Sequence, residues 1–127
     1  MDLAEAGPLA AGDQGQPLLL TVSNEMVRIY KEQFGRGPTK VRTDWAGPDV
    51  LISTLRESLT AAERNLADMG EFARLRDTRT FFQYAGEHEF VGAIEEIIGR
   101  KVIAFVSGID ARRDVSAEVF YFEPEST

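Results

Sequence analysis

Residues 34–45 read FGRGPTKVRTDW, and the fold turns on where one periodicity gives way to another within them. Upstream, Val22, Met26, Ile29, Tyr30 and Phe34 recur at spacings of three and four. That spacing lines one face of a helix over 19–34, with Glu25, Arg28, Lys31 and Glu32 mostly on the other. Gly35 stands where a helix wants a left-handed C-cap, and Gly37-Pro38 forbids continuation. Downstream, Val41, Thr43 and Trp45 alternate with Lys40, Arg42 and Asp44, the period-two signature of a half-buried strand.

Reading outward, 46–49 (AGPD) is a turn signal and 49–55 is apolar on both faces, so a second, more covered strand closes a β-hairpin. Thr60 and Glu63 match a capping box and predict a short helix that stops near Gly70. One long helix is then expected over 71–98, about 40 Å at 1.5 Å per residue. Leu75, Phe82, Phe90, Ala93, Ile94 and Ile97 supply its apolar side. Gly99 caps it, with Arg100 and Lys101 where cations suit the helix dipole. Two strands follow, 101–107 and 115–122, joined by the polar, exposed link GIDARRD. The order is α-ββ-α-α-ββ, an α+β domain with helices packed on one antiparallel four-stranded sheet.

The chain has 127 residues and a net charge of −7, with no cysteine. One domain of this size buries a sufficient core without staples. Residues 1–17, rich in Ala, Gly and Pro without period, read as a disordered tail; the domain spans 18–124 and residues 125–127 are a tail. No apolar run approaches the roughly 20 residues a membrane span needs, and the acidic N-terminus is no secretory signal, so direct membrane insertion is not expected and a cytoplasmic protein is. Cysteine-based disulfides, metal sites and nucleophiles are excluded. Residues 1–17 and 110–127 each carry −3, whereas 18–55 carry +1. An acidic chain does not bind duplex nucleic acid through its whole surface; only a local basic patch could.

Residues 35–42 are that patch, three cations and no acid. Glycines let a backbone approach an anion closely, and Arg36, Gly37, Lys40 and Arg42 form a candidate site for a small anion or a protein partner. The same residues read structurally as a C-cap, a turn and cations on a solvated strand face that pair with Asp44 or Glu32. Arg74, Arg76 and Arg79 read as a solvated helix face, with a subunit contact as the alternative. His88, the sole histidine, has Glu87 and Glu89 beside it, which point elsewhere on a helix. Although Glu95 seven residues on could share its face, an exposed helix histidine is the better reading and no metal site is expected. No constellation for catalysis is present: no serine or threonine has a visible base, and Ser107-Gly108 is no nucleophile elbow. No cofactor is expected.

Four pieces together resemble the MpsC family: FGRGPTKVR, LTAAERNL, GRKVIAFVSGID and DVSAEVFYFEP. The resemblance covers about residues 20–124. The chain departs from the family's pattern at LRESLT, where members tend to carry an acidic-glycine stretch and Glu57 is here followed by Ser58. The family's name implies work beside a sodium-translocating, membrane-potential-generating apparatus, or inorganic-carbon transport. Without a span, the implied role is that of a non-enzymatic accessory or regulatory protein, with a membrane-transport protein as partner. The length of the 71–98 helix fits a homodimer packed along it or edge to edge through the sheet, and equally a core helix of one domain. Two alternatives stand beside this reading: an enzyme of unrecognised type using a pocket with Arg42 and a carboxylate, and a single-stranded RNA-binding module using Trp45, Phe120 and Tyr121 near cations.

Overall fold

The structure is a computed structural model that describes residues 16–125. The tail expected over 1–17 lies outside them except for its last two residues, which open the first helix. The elements are α1 (Gln16–Phe34), β1 (Lys40–Trp45), β2 (Val50–Arg56), α2 (Ala61–Asp68), α3 (Phe72–Ala85), α4 (Glu87–Ile98), β3 (Val102–Asp110) and β4 (Val115–Phe122). The four strands make one antiparallel sheet in the order β1-β2-β4-β3. The α+β architecture is the expected one.

The local signals act as their chemistry requires. Gly35 takes φ +76° and Gly99 φ +77°, a conformation that costs a residue with a Cβ roughly 1 kcal/mol or more. Thr60 Oγ1 accepts from the Glu63 amide at 3.2 Å while Glu63 accepts from the Thr60 amide at 2.8 Å, so the capping box is closed in both directions. The helix expected over 71–98 is interrupted at Gly86. A Cβ built there would lie 1.6 Å from Gln33 Nε2, so α1 packs against bare backbone at the break. The last expected strand pair also shifts. β3 runs on to Asp110, and the link thought exposed has Ala111 and Asp114 buried.

All the helices with sheet contacts pack on one side. Val22, Met26, Ile29 and Tyr30 of α1 and Phe90 and Ile94 of α4 close over the inward rows of the strands to form the main core. Phe105 joins them, stacked on Phe90 with ring centroids 5.7 Å apart. Burial of such apolar surface, at about 25 cal/mol per Å², is the dominant favourable term. The opposite face of the sheet carries Val50, Ile52, Val106, Val119 and Tyr121, and none of them belongs to that core. Among the described residues, no helix covers this face.

Candidate functional site

β1 alternates as its sequence predicts, so Lys40 and Arg42 project onto the uncovered face while Val41 and Thr43 point into the core. Lys40 stands directly opposite Arg56 of β2 in the strand register. Arg42 Nε donates to Asp44 Oδ2 at 2.8 Å. Arg36 turns away from these two: its Nη1 donates to the Leu59 carbonyl at 2.5 Å. Gly37 fits because a Cβ there would come within 3.2 Å of Val27. Two backbone amides near it are engaged, Gly35 N on Lys31 O and Thr39 N on Arg56 O. Of the four candidate residues, the fold therefore brings Lys40 and Arg42 together on a flat strand surface and sends Arg36 to the loop over 57–60.

That loop is held from three sides. Glu57, at φ 60°, accepts from the Thr39 hydroxyl, and this hydrogen bond, aided by the charges of Lys40, Arg64 and Arg36, holds its carboxyl below the usual range. Asp114, in the β3–β4 turn, accepts from the Ser58 and Leu59 amides at 3.0 and 3.2 Å. Arg79 of α3 donates to the Ser58 carbonyl at 2.6 Å and to both Glu63 carboxylate oxygens at 2.7 and 2.9 Å. Its guanidinium also lies 3.7 Å from the centre of the Phe34 ring. Arg79 is 0% exposed, which corrects its reading as part of a solvated helix face. The physical reason is the forked guanidinium, whose three nitrogens each find an acceptor on Glu63 or Ser58. Arg74 and Arg76 stay exposed beside Glu71 and Asp77, as expected. Burial pushes the Glu63 carboxyl up, but the Arg79 and Thr60 hydrogen bonds outweigh it and hold the group below its ordinary value.

A second polar centre lies deeper. Thr43, Ser53, Glu118 and Ser107 are partners in register across β1, β2, β4 and β3, so one hydrophilic row crosses the whole sheet on its helix side. Ser23 of α1 extends it, with the Ser23, Thr43 and Ser53 hydroxyls linked at 2.8 Å each. Glu118 accepts from Tyr30 at 2.5 Å and from Gln83 at 3.0 Å, and is 0% exposed. Burial pushes its carboxyl up to about 7, against the opposing pull of its hydrogen bonds and of Arg79. Burial likewise raises the Tyr30 phenol, which stays a neutral donor. This centre is sealed beneath α1 and α3. Sequence reasoning missed it because Glu118 alternates with apolar neighbours on both sides; the four-strand register is what reveals the row.

The remaining candidates fall as follows. His88 is exposed, and no group of three or more metal-ligating side chains occurs among the described residues. Shallow hollows border 109–112, 84–91 and 95–101, and none of these three includes Arg42. Of the three aromatics considered for stacking bases, Phe120 is buried under the helices and Trp45 packs on Phe122, while Tyr121 alone lies on the uncovered face. No helix among the described residues is long and apolar enough to cross a membrane.

Comparison with known proteins agrees with the resemblance. The chain is 28% identical over 103 residues to the uncharacterized protein YrhF of Bacillus subtilis (strain 168), covering 79% of this chain and 84% of that one. No solved structure matches it. The profile of the family described as "Na+-translocating membrane potential-generating system (MpsC)" matches residues 16–124, which takes in every helix and strand of the fold. The chain belongs to the MpsC family.

Proposed function

We propose that this domain is a non-enzymatic accessory protein of a sodium-translocating, membrane-potential-generating system, and that it works by presenting its sheet to a protein partner. The observation that carries this reading is the uncovered sheet face, where Ile52, Val106 and Val119 form an apolar centre with Lys40 and Arg42 along one edge. Four strands about 4.8 Å apart and six residues of about 3.3 Å give this face a footprint of about 400 Å², within which the apolar centre is rimmed by charged residues, the pattern of an interaction surface. The anion for which Lys40 and Arg42 are suited is then a carboxylate carried by a protein. A flat strand with two nearby amides already bonded offers a free ion little enclosure, whereas a docked surface brings its own.

The test is complementation in the host from which the gene has been deleted. Sodium-dependent membrane potential is read with a voltage-sensitive dye. Wild type is expected to restore it, and Ile52→Lys and Val119→Lys variants that retain their far-UV spectrum are expected to restore less than half. Full restoration by both variants would refute the reading.

A further inference from the structure

Like charges placed directly opposite on neighbouring strands destabilise a sheet, yet Lys40 and Arg56 are such a pair at one end of the uncovered face. The same cross-strand row continues through Val115 and ends on the far edge strand at Asp110. The row is thus cationic at one edge and acidic at the other, and the centre of the face is apolar. Such a face is complementary to itself under one particular two-fold axis, parallel to the strands and running between β2 and β4. Rotation about that axis lays β1 over β3 of a second copy and β2 over its β4, while every row stays in register with itself. Lys40 then meets Asp110 of the other copy twice, Ile52 meets Val119 twice, and Arg42 faces Gly108, where no side chain obstructs it. An axis across the strands does worse, because it sets the cations of one copy against the end of the face that holds Val50 and Tyr121.

We infer that the occupant of this face is a second copy of the chain, packed sheet to sheet in an isologous dimer with Lys40–Asp110 pairs at its two edges. This rests on the reading of the face as a protein-binding surface and names its partner. Stacked sheets pack about 10 Å apart at about −30°, a gap that a lysine and an aspartate can bridge from opposite sides. The helices of both copies remain outside, available to the transport apparatus.

Sedimentation velocity on the full chain from about 1 to 100 µM, a range that brackets ordinary specific dimers, tests this. A dimer is expected. Val119→Lys should be monomeric with an unchanged far-UV spectrum. Lys40→Glu and Asp110→Lys should each weaken association roughly tenfold or more, and the double variant Lys40→Glu/Asp110→Lys should recover most of the loss. A dimer indifferent to Val119→Lys, or a double variant no better than either single one, overturns the arrangement. So does a monomeric wild type. If Val119→Lys then leaves stability alone but still fails to restore the sodium-dependent potential, the face serves a different protein. Full restoration by a monomeric variant would overturn the binding surface as well.

Discussion

Tyr30 of α1 donates its phenolic hydrogen to Glu118 of β4 across 2.5 Å, joining residues 88 positions apart at the centre of the core. The contact explains how a strand can turn a glutamate inward. Two neutral donors, the phenol and the Gln83 amide, meet one carboxyl oxygen, while Glu118 Oε1 has no partner. A protonated carboxyl fits such a site better than an ionised one, since burying an unpaired charge costs several kcal/mol.

A pH dependence follows from this. The Glu118 carboxyl is raised from 4.5 to about 7 in the folded chain, so the folded state holds a proton that the unfolded state has released. Its contribution to stability is fully present below the unfolded value, falls between about 4.5 and 7, and is gone above that. The change amounts to something on the order of 3 kcal/mol. Glu118→Gln, which keeps the shape without the charge, should flatten the stability curve over that window and make the protein more stable than wild type at pH 8. Urea denaturation at pH 5 and pH 8 checks this, and a variant less stable at both would show that the carboxylate form is the preferred one.

Arg79 is the opposite case, a buried charge that is fully paired. Removing one partner from a buried pair costs about 3–5 kcal/mol because the other is stranded. Arg79→Met should therefore destabilise by about that much, enough to lower the melting temperature by well over 10 °C. Arg79→Lys keeps the charge but not the fork that spans Glu63 and Ser58, and should fall between the two. Thermal denaturation of the three proteins decides; equal melting temperatures for Arg79→Lys and wild type would mean that geometry at this site matters little.

How much of this was legible in the sequence depended on the distance between cause and effect. The β1 and β4 bounds, the Gly35 and Gly99 caps and the Thr60–Glu63 capping box each rest on a few adjacent residues, and the residues alone specify them. The break at Gly86 depends on Gln33 of another helix, the inward turn of Glu118 on Tyr30 and Gln83, and the burial of Arg79 on Glu63 and Ser58. Arg74, Arg76 and Arg79 look alike in sequence; the first two pair with Glu71 and Asp77 at the surface, and only the third is drawn inside the fold. The basic stretch over 35–42 was visible as composition, but the strand register is what divides Lys40 and Arg42 from Arg36.

Asp114 offers a further test of the loop over 57–60. It sits at φ 55° with its carboxylate on two buried amides, and Arg64 lies 3.4 Å away. Asp114→Ala would strand both amides and place a Cβ residue without side-chain compensation in the left-handed region, for a cost of about 2–4 kcal/mol. Asp114→Asn retains one acceptor and a side chain tolerated at that φ, so about 1 kcal/mol is expected. Chemical denaturation gives both numbers, and a loss as large for Asn as for Ala would mean that charge rather than hydrogen bonding holds the loop.

The basic corner itself separates a free anion from a protein carboxylate. An ion that binds only the folded state stabilises it by mass action, by about 2.7 kcal/mol when present at 100 times its Kd, and so raises its melting temperature. Lys40 and Arg42 lie on a flat face, Arg42 is already paired with Asp44, and the amides of Gly35 and Thr39 are bonded. Bicarbonate, phosphate and acetate at about 10 mM should therefore shift the melting temperature by less than about 1 °C, in wild type and in Lys40→Gln/Arg42→Gln alike, because weak surface pairs are worth at most about 1 kcal/mol. A shift of several degrees with one of these ions, lost in the double variant, would make the corner a small-anion site and would direct the function towards sensing that ion rather than towards assembly.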